Sequence, residues 1–302
     1  MPARKLRIGV DLGGTKIEAV VLAPNGQIVA KRRVQTPGAS YSQIVQAVMQ
    51  LVEALESEVT AKCSVGIGTP GALVPATGRL KNSNTTCLNG EAVLADLETA
   101  LGRPIRMAND ADCLALSEAH DGAGTTVGTV FGAILGTGVG GGLVIGGQLV
   151  RGANAIAGEW GHNPLPWPDA YERPGMPCYC GRRGCIETYL CGAGLRREFL
   201  ARSGNDIEPA RIGILASDGQ PAAVAAIDRY ADRLARSLAT IINTIDPHII
   251  VLGGGLSNLH ALYTMVPARW GRWVFSDTVE TLLRPAVHGD SSGVRGAARL
   301  WS

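Results

Sequence analysis

Two glycine-tipped segments, Asp11-Leu12-Gly13-Gly14-Thr15-Lys16 and Gly136-Thr137-Gly138, are the chain's best candidates for holding phosphate. Glycine at such tips lets successive backbone N–H groups close around phosphate oxygens with no Cβ in the way. Asp11, at the end of an apolar strand pattern, is placed to hold Mg²⁺ through water, because that ion sheds its hydration shell reluctantly. Thr137 adds a hydroxyl for a β- or γ-phosphate. The surroundings echo one another. Ile8–Val29 and Phe131–Val150 each read as apolar strand, Gly-rich turn, apolar strand, turn and the start of a third strand, with Leu12 matching Leu135 and Gln27 matching Gln148. Two such hairpins facing across a cleft predict an ATP-dependent phosphotransferase. A further run, Gly253-Gly254-Gly255, follows apolar Ile249–Leu252 and leaves room for adenosine.

Asn109-Asp110 stands where the apolar run Pro104–Met107 gives way to a helical pattern through Ala111–Ala119. Asn109 suits the cap of that helix, and the helix N-terminus favours an ionised Asp110. With an ordinary carboxyl pKa of about 3.9, Asp110 is expected to be charged at neutral pH. It is either a helix-start residue or a base that orients a hydroxyl and takes its proton late in phosphoryl transfer. Cys178, Cys180 and Cys185, with His162 upstream, read as a zinc site, a disulfide or reduced thiols.

Positioning these groups needs a scaffold of alternating strands and helices, and 302 residues suffice for two domains. Domain boundaries are expected at residues 1–121, joined by a C-terminal helix from about 290 to 302, and 122–289, with a hinge at Gly122–Thr126. Ser40 and Gln43 form a capping-box pattern opening a helix faced by Ile44, Val48, Leu51, Val52 and Leu55. Pro221–Ile245 reads as an amphipathic helix whose charged side, Asp228, Arg229, Asp232, Arg233 and Arg236, is expected to be solvated. The stretch 151–184 is too long for a plain loop and calls for a staple or a ligand. A net charge of +2, without runs of like charge, argues against a nucleic-acid partner. No stretch reaches the roughly 18 apolar residues of a membrane span, and scattered Cys63, Cys87, Cys113 and Cys191 fit reduced thiols, so a cytoplasmic protein is expected.

The motifs DLGGTK (Asp11–Lys16), GIGTPG (Gly66–Gly71), ANDAD (Ala108–Asp112), GTGVGGG (Gly136–Gly142), GEWGH (Gly158–His162), CYCGRRGCIE (Cys178–Glu187) and VLGGG (Val251–Gly255) resemble those of the ROK sugar kinases, in order and over essentially the whole chain. Lys81–Gly90, Glu159–Trp167 and His288–Trp301 look most like bacterial fructokinases of the manno(fructo)kinase type. The resemblance implies an α/β fold of two duplicated ribonuclease-H-like domains, of the actin, hexokinase and sugar-kinase ATPase superfamily, with a cleft between them. It implies Mg·ATP-dependent phosphorylation of a hexose, fructose first, with N-acetylglucosamine or glucose as the alternative, by a homodimer.

By that resemblance Asp110 is the base, and Gly71, Asn84, Asn109, Glu159, His162 and Glu187 join it around the sugar. ATP is assigned to Asp11, Gly13, Gly14, Thr15, Lys16, Gly136, Thr137, Gly138, Gly253, Gly254 and Gly255. A structural Zn²⁺ falls to His162, Cys178, Cys180 and Cys185, with the other nitrogen of His162 offered to the sugar. A sugar-sensing relative without catalysis and a ROK repressor are the remaining readings; the phosphate hairpin starting by Leu6 leaves no room before it for a DNA-binding module.

Overall fold

A computed structural model of the chain describes residues 6–38, 40–83 and 85–302. It is built on two five-stranded mixed sheets of one topology. In the first, β1 (Arg7–Leu12), β2 (Lys16–Leu22) and β3 (Ile28–Gln35) form an antiparallel meander. Helix α1 (Tyr41–Val59) leads to β4 (Ser64–Thr69), parallel to β1. A ribbon of β5 (Ala72–Leu73) and β6 (Leu80–Lys81) and helix α2 (Val93–Leu101) precede β7 (Ile105–Asn109), parallel to β4.

Helix α3 (Asp110–Asp121) carries the chain to the second sheet, where β8 (Thr129–Leu135), β9 (Val139–Ile145) and β10 (Gln148–Leu149) repeat the meander. Beyond the excursion come α4 (Ile186–Leu190), α5 (Gly192–Ser203), α6 (Pro209–Ser217) and α7 (Pro221–Ile245). Strand β11 (Ile249–Gly253) pairs parallel to β8, α8 (Leu262–Met265) and α9 (Pro267–Trp270) follow, and β12 (Leu282–Pro285) adds to β11. Helix α10 (Ser292–Arg299) returns to the first sheet. The strand orders, β3-β2-β1-β4-β7 and β10-β9-β8-β11-β12, are the same pattern twice, so the sequence echo is a structural repeat.

Period-2 alternation explains the first sheet: Ile8, Val10 and Leu12 are fully buried on one face of β1. The other face is held flat for α10, since a Cβ on Gly9 would meet the Val294 carbonyl. On the second sheet a Cβ on Gly132 would lie 2.9 Å from that of Ala115 in α3. Gly296 of α10 rests on the backbone of Cys113 in α3. Small residues thus let α3 and α10 cross in contact between the sheets. Val294 and Ala298 of α10 cover Val20 and Leu22.

Helix α1 buries its expected face, Ile44, Val48, Leu51, Val52 and Leu55. Ser40 holds the N-cap position, but its side chain makes no cap hydrogen bond and sits 3.3 Å from the Ser42 hydroxyl instead. Helix α7 spans the residues its periodicity marks, Pro221–Ile245, and buries Ile227, Ala231, Leu234 and Leu238.

The expected solvated side of α7 is corrected. Arg233 and Arg236 are buried, because Glu172 of the 151–184 excursion reaches in with its side chain fully covered. Arg233 Nε donates to Glu172 (2.7 Å), Arg236 Nη2 to both carboxylate oxygens (3.1 Å each), and the Asp169 N–H to Oε2 (2.9 Å). Arg236 also donates to the carbonyls of Pro166 (2.9 Å) and Trp167 (2.7 Å). This carboxylate ties the excursion to the second core. Removing one partner of such a network strands buried charge, so Glu172→Ala should cost about 3–5 kcal/mol in chemical denaturation. A loss below about 1 kcal/mol, the range of an exposed pair, would contradict it.

Candidate active site

The first hairpin tip joins β1 to β2. Gly13 N–H donates to the Lys16 carbonyl (3.1 Å) and the Thr36 hydroxyl donates to the Gly13 carbonyl (2.6 Å), which braces the turn while Gly14, Thr15 and Lys16 face solvent. Asp11 sits on β1 facing the start of α10, its carboxylate 3.8 Å from where a Gly293 side chain would begin. A carboxylate is an oxygen-only donor of the kind that suits a water-held Mg²⁺. The second tip joins β8 to β9. Gly136 N–H donates to the Gly138 carbonyl (3.0 Å), and the Gly136 carbonyl accepts from Gly192 N–H (2.8 Å).

Gly136 and Thr137 open onto a cavity of about 860 Å³ walled by α6, by Val224 and Ile227 of α7 and by Leu256 and Leu259. Its mostly apolar wall and its contact with a phosphate-type loop suit a purine base. The α6 wall carries no signature in the sequence. Gly255 lines this cavity. A Cβ on Gly253 would instead stand 2.9 Å from the Leu114 side chain, and one on Gly254, at φ +80°, would meet the Leu135 carbonyl, so these two serve the β11 turn rather than the cavity surface.

Asn109 caps α3, its Oδ1 accepting from the Asp112 N–H (2.6 Å). Asp110 follows with Oδ1 accepting from Ala111 N–H (2.9 Å). The expectation of an ordinary carboxyl here is corrected: burial raises the Asp110 pKa and the Glu159 charge adds to it, against the Ala111 N–H. Burial also pushes Asp112 up to about 7, with Arg151 opposing. Burial together with Asp112, Asp11 and Asp110 raises Cys113 well above the usual thiol range, so the first phosphate loop and the start of α3 share one electrostatic neighbourhood. Gly71, at φ +92° and with Lys81 O where a Cβ would stand, admits only glycine and lines a 60 Å³ recess with Thr69, Asn109, Asp112 and Arg151. Asn84 lies outside the described residues.

Glu187 starts α4 and reaches back to the second hairpin, its Oε2 accepting from Val139 N–H (2.9 Å). A side chain on Gly138 would run into it at 2.7 Å. One carboxylate therefore links the second tip to the segment expected to hold sugar. His162 Nδ1 faces Cys178 Sγ at 3.6 Å, while Nε2, expected to be free for sugar, meets the Tyr179 hydroxyl at 2.9 Å. Tyr179 is largely exposed, yet partial desolvation and the charges of Glu187 and Glu159 push its hydroxyl up to about 12.

His162, Cys178, Cys180 and Cys185 present one ligand atom each within 4.8 Å of one another. Cys180 and Cys185 sulfurs stand 3.6 Å apart. That is far beyond the roughly 2.05 Å of a disulfide. It is close to the edge of a tetrahedron with metal–sulfur bonds of about 2.3 Å. Burial raises the Cys185 thiol to about 12, and a soft cation among the sulfurs would reverse that. Donor set and spacing fit Zn²⁺.

Comparison with known proteins agrees with this geometry. The ROK family model matches residues 7–302. An N-acetyl-D-glucosamine kinase of Yersinia pseudotuberculosis is 40% identical over 297 residues, 97% of each chain. A ROK hexokinase from Thermus thermophilus superposes with a TM-score of 0.87 at 30% identity over 97% of each chain. A ROK glucokinase from Streptomyces griseus, solved with glucose and AMPPNP, does so at 0.80 and 29% over 98% of each. The chain belongs to the ROK family and has the α/β fold of its sugar kinases, within the actin and hexokinase ATPase superfamily. Among the described residues no helix is long and apolar enough to cross a membrane.

Proposed function

We propose that this protein transfers the γ-phosphoryl group of ATP to a hexose, with N-acetyl-D-glucosamine as its preferred acceptor. The observation that carries the choice of sugar is the 40% identity, end to end, with an N-acetyl-D-glucosamine kinase. The fructose-first reading rests on Lys81–Gly90, Glu159–Trp167 and His288–Trp301; it stands second, and glucose third.

In this reading the two hairpin tips hold the triphosphate and the 860 Å³ cavity takes the base. Asn109, Glu159 and Glu187 hold the sugar, His162 joins them where a sugar hydroxyl replaces the Tyr179 hydroxyl on Nε2, and Gly71 lets the backbone approach it. Asp110 orients the acceptor hydroxyl and takes its proton as the bond to phosphorus forms and the bond to the leaving ADP breaks. Asp11 would hold Mg²⁺, which neutralises phosphate charge when bound. Zn²⁺ at His162, Cys178, Cys180 and Cys185 would staple the excursion and so fix Glu187, two residues beyond Cys185.

A panel of hexoses in a coupled ADP-release assay tests it. N-acetyl-D-glucosamine should exceed fructose in kcat/KM by roughly tenfold or more, as expected where a site is built to hydrogen-bond a polar substituent. Fructose ahead would restore the other reading, and no hexose-dependent ADP release would remove the kinase assignment altogether.

A further inference from the structure

The two connections between the sheets that pass through α3 and α10 meet at one buried carboxylate. Glu118, fully buried near the end of α3, accepts through Oε2 from the N–H of Ala123 (2.9 Å), on the way from α3 to β8. The same oxygen accepts from the N–H of Val287 (3.1 Å), on the way from β12 to α10. Its Oε1 accepts from the Ser292 hydroxyl at the start of α10 (2.9 Å). The fit leaves no slack, since a side chain on Gly122 would collide with the Glu118 carboxylate. One turn on, His288 Nε2 donates to the Asp121 carbonyl (3.0 Å), and the Asp121 carboxylate pairs with Arg295 and with Arg299 (2.8 Å). The far end of this helix is Asp110.

We propose that Glu118 is the pivot about which the two sheets turn when the cleft closes on its substrates, a positioning residue that holds both crossings at fixed spacing. The inference rests on the kinase reading. Hinges absorb closure at a few element-terminal residues, and here both crossing segments share one acceptor. Without that acceptor the N–H groups of Ala123 and Val287 lose the partner they share and must find water in its place, since backbone donors do not stay unpaired. They would recover partners by letting the crossings separate. The fraction of molecules poised to close would fall, and apparent substrate affinity falls in proportion to that fraction. Turnover at saturation, measured once both ligands have drawn the cleft shut, would change little.

The test is the kinetics of Glu118→Ala and Glu118→Gln beside the native enzyme, on whichever hexose the native enzyme turns over fastest. Glu118→Ala should raise KM for hexose and ATP about tenfold, corresponding to a competent fraction near one tenth, with kcat within about twofold. Glu118→Gln should behave as native, because its amide oxygen can accept both N–H groups while its NH₂ donates to Ser292. A role in stability alone would leave KM unchanged and lower only kcat, as inactive protein accumulates; that result overturns the proposal. Should Glu118→Ala not fold, hydrogen exchange of the native protein decides. Protection at Ala123 and Val287 should change together when hexose and a non-hydrolysable ATP analogue bind; change at one without the other, or at neither, overturns it. Native activity on any hexose is scored separately, so loss of the kinase reading is seen without the variants.

Discussion

Asp110→Asn lowers kcat by about 10²–10⁴-fold, the range for removing a positioned general base, and leaves sugar KM nearly unchanged. The substitution is isosteric, and the amide oxygen can still accept from the Ala111 N–H. Asn109 continues to cap the helix, so the fold is not at risk. What is lost is the capacity to take a proton. Burial and the Glu159 charge make this carboxyl more basic than an exposed one, closer to what a base working near neutral pH requires. The sign for pH follows. Below the raised pKa Asp110 is protonated and cannot act, so the acid limb of kcat/KM should lie above the usual carboxylate range. Because Asp112 titrates beside it, pushed up to about 7, that limb belongs to the pair. The Asn variant should lose most of its activity together with the Asp110 contribution to the limb. Undiminished turnover in a stopped assay would remove Asp110 from the mechanism.

Stripping metal from the Cys/His cluster is expected to have the second largest effect. Native protein should carry one Zn²⁺ per chain by elemental analysis. A strong chelator, or Cys185→Ser, should lower the melting temperature and raise sugar KM well before it affects binding of an ATP analogue. The ordering has a structural cause. His162 belongs to the cluster and Glu187 lies two residues beyond Cys185, both assigned to the sugar, whereas the 860 Å³ cavity is walled by α6 and α7. Metal loss should be steeper at acid pH, where protons compete for thiolate and imidazole. Zinc-free protein with native sugar affinity and melting temperature would show that the cluster is a set of ordinary thiols.

Much of this was legible in the sequence, for reasons that differ by element. Helix α7 announced itself through a 3.6-residue apolar period sustained over many turns. The duplicated meander announced itself because glycine tips and apolar strands recur in the same order. What stayed hidden depended on residues far apart in the chain. Arg233 and Arg236 look like a wet helix face until Glu172, more than sixty residues earlier, is brought against them. The base-sized cavity was invisible because its α6 wall is made of ordinary small and aliphatic residues. Tyr179, between Cys178 and Cys180, carries no sequence signal of its own, yet it holds the His162 nitrogen assigned to sugar. Gly253 and Gly255 are neighbours in one motif with different duties, a packing gap and a cavity wall, which only coordinates separate. Sugar preference is a matter of pocket shape, and local motifs pointed to fructose where whole-chain identity points to an acetylated hexose.

The return of α10 to the first sheet has a consequence for synthesis. Val20 and Leu22 are covered by Val294 and Ala298, residues translated more than two hundred positions after β4. At roughly 5–20 residues per second, the nascent first sheet waits tens of seconds with that apolar face bare on the ribosome. During that interval it is a natural client for chaperones that shield greasy surfaces, and the glycines that make room for α10 keep the vacancy narrow.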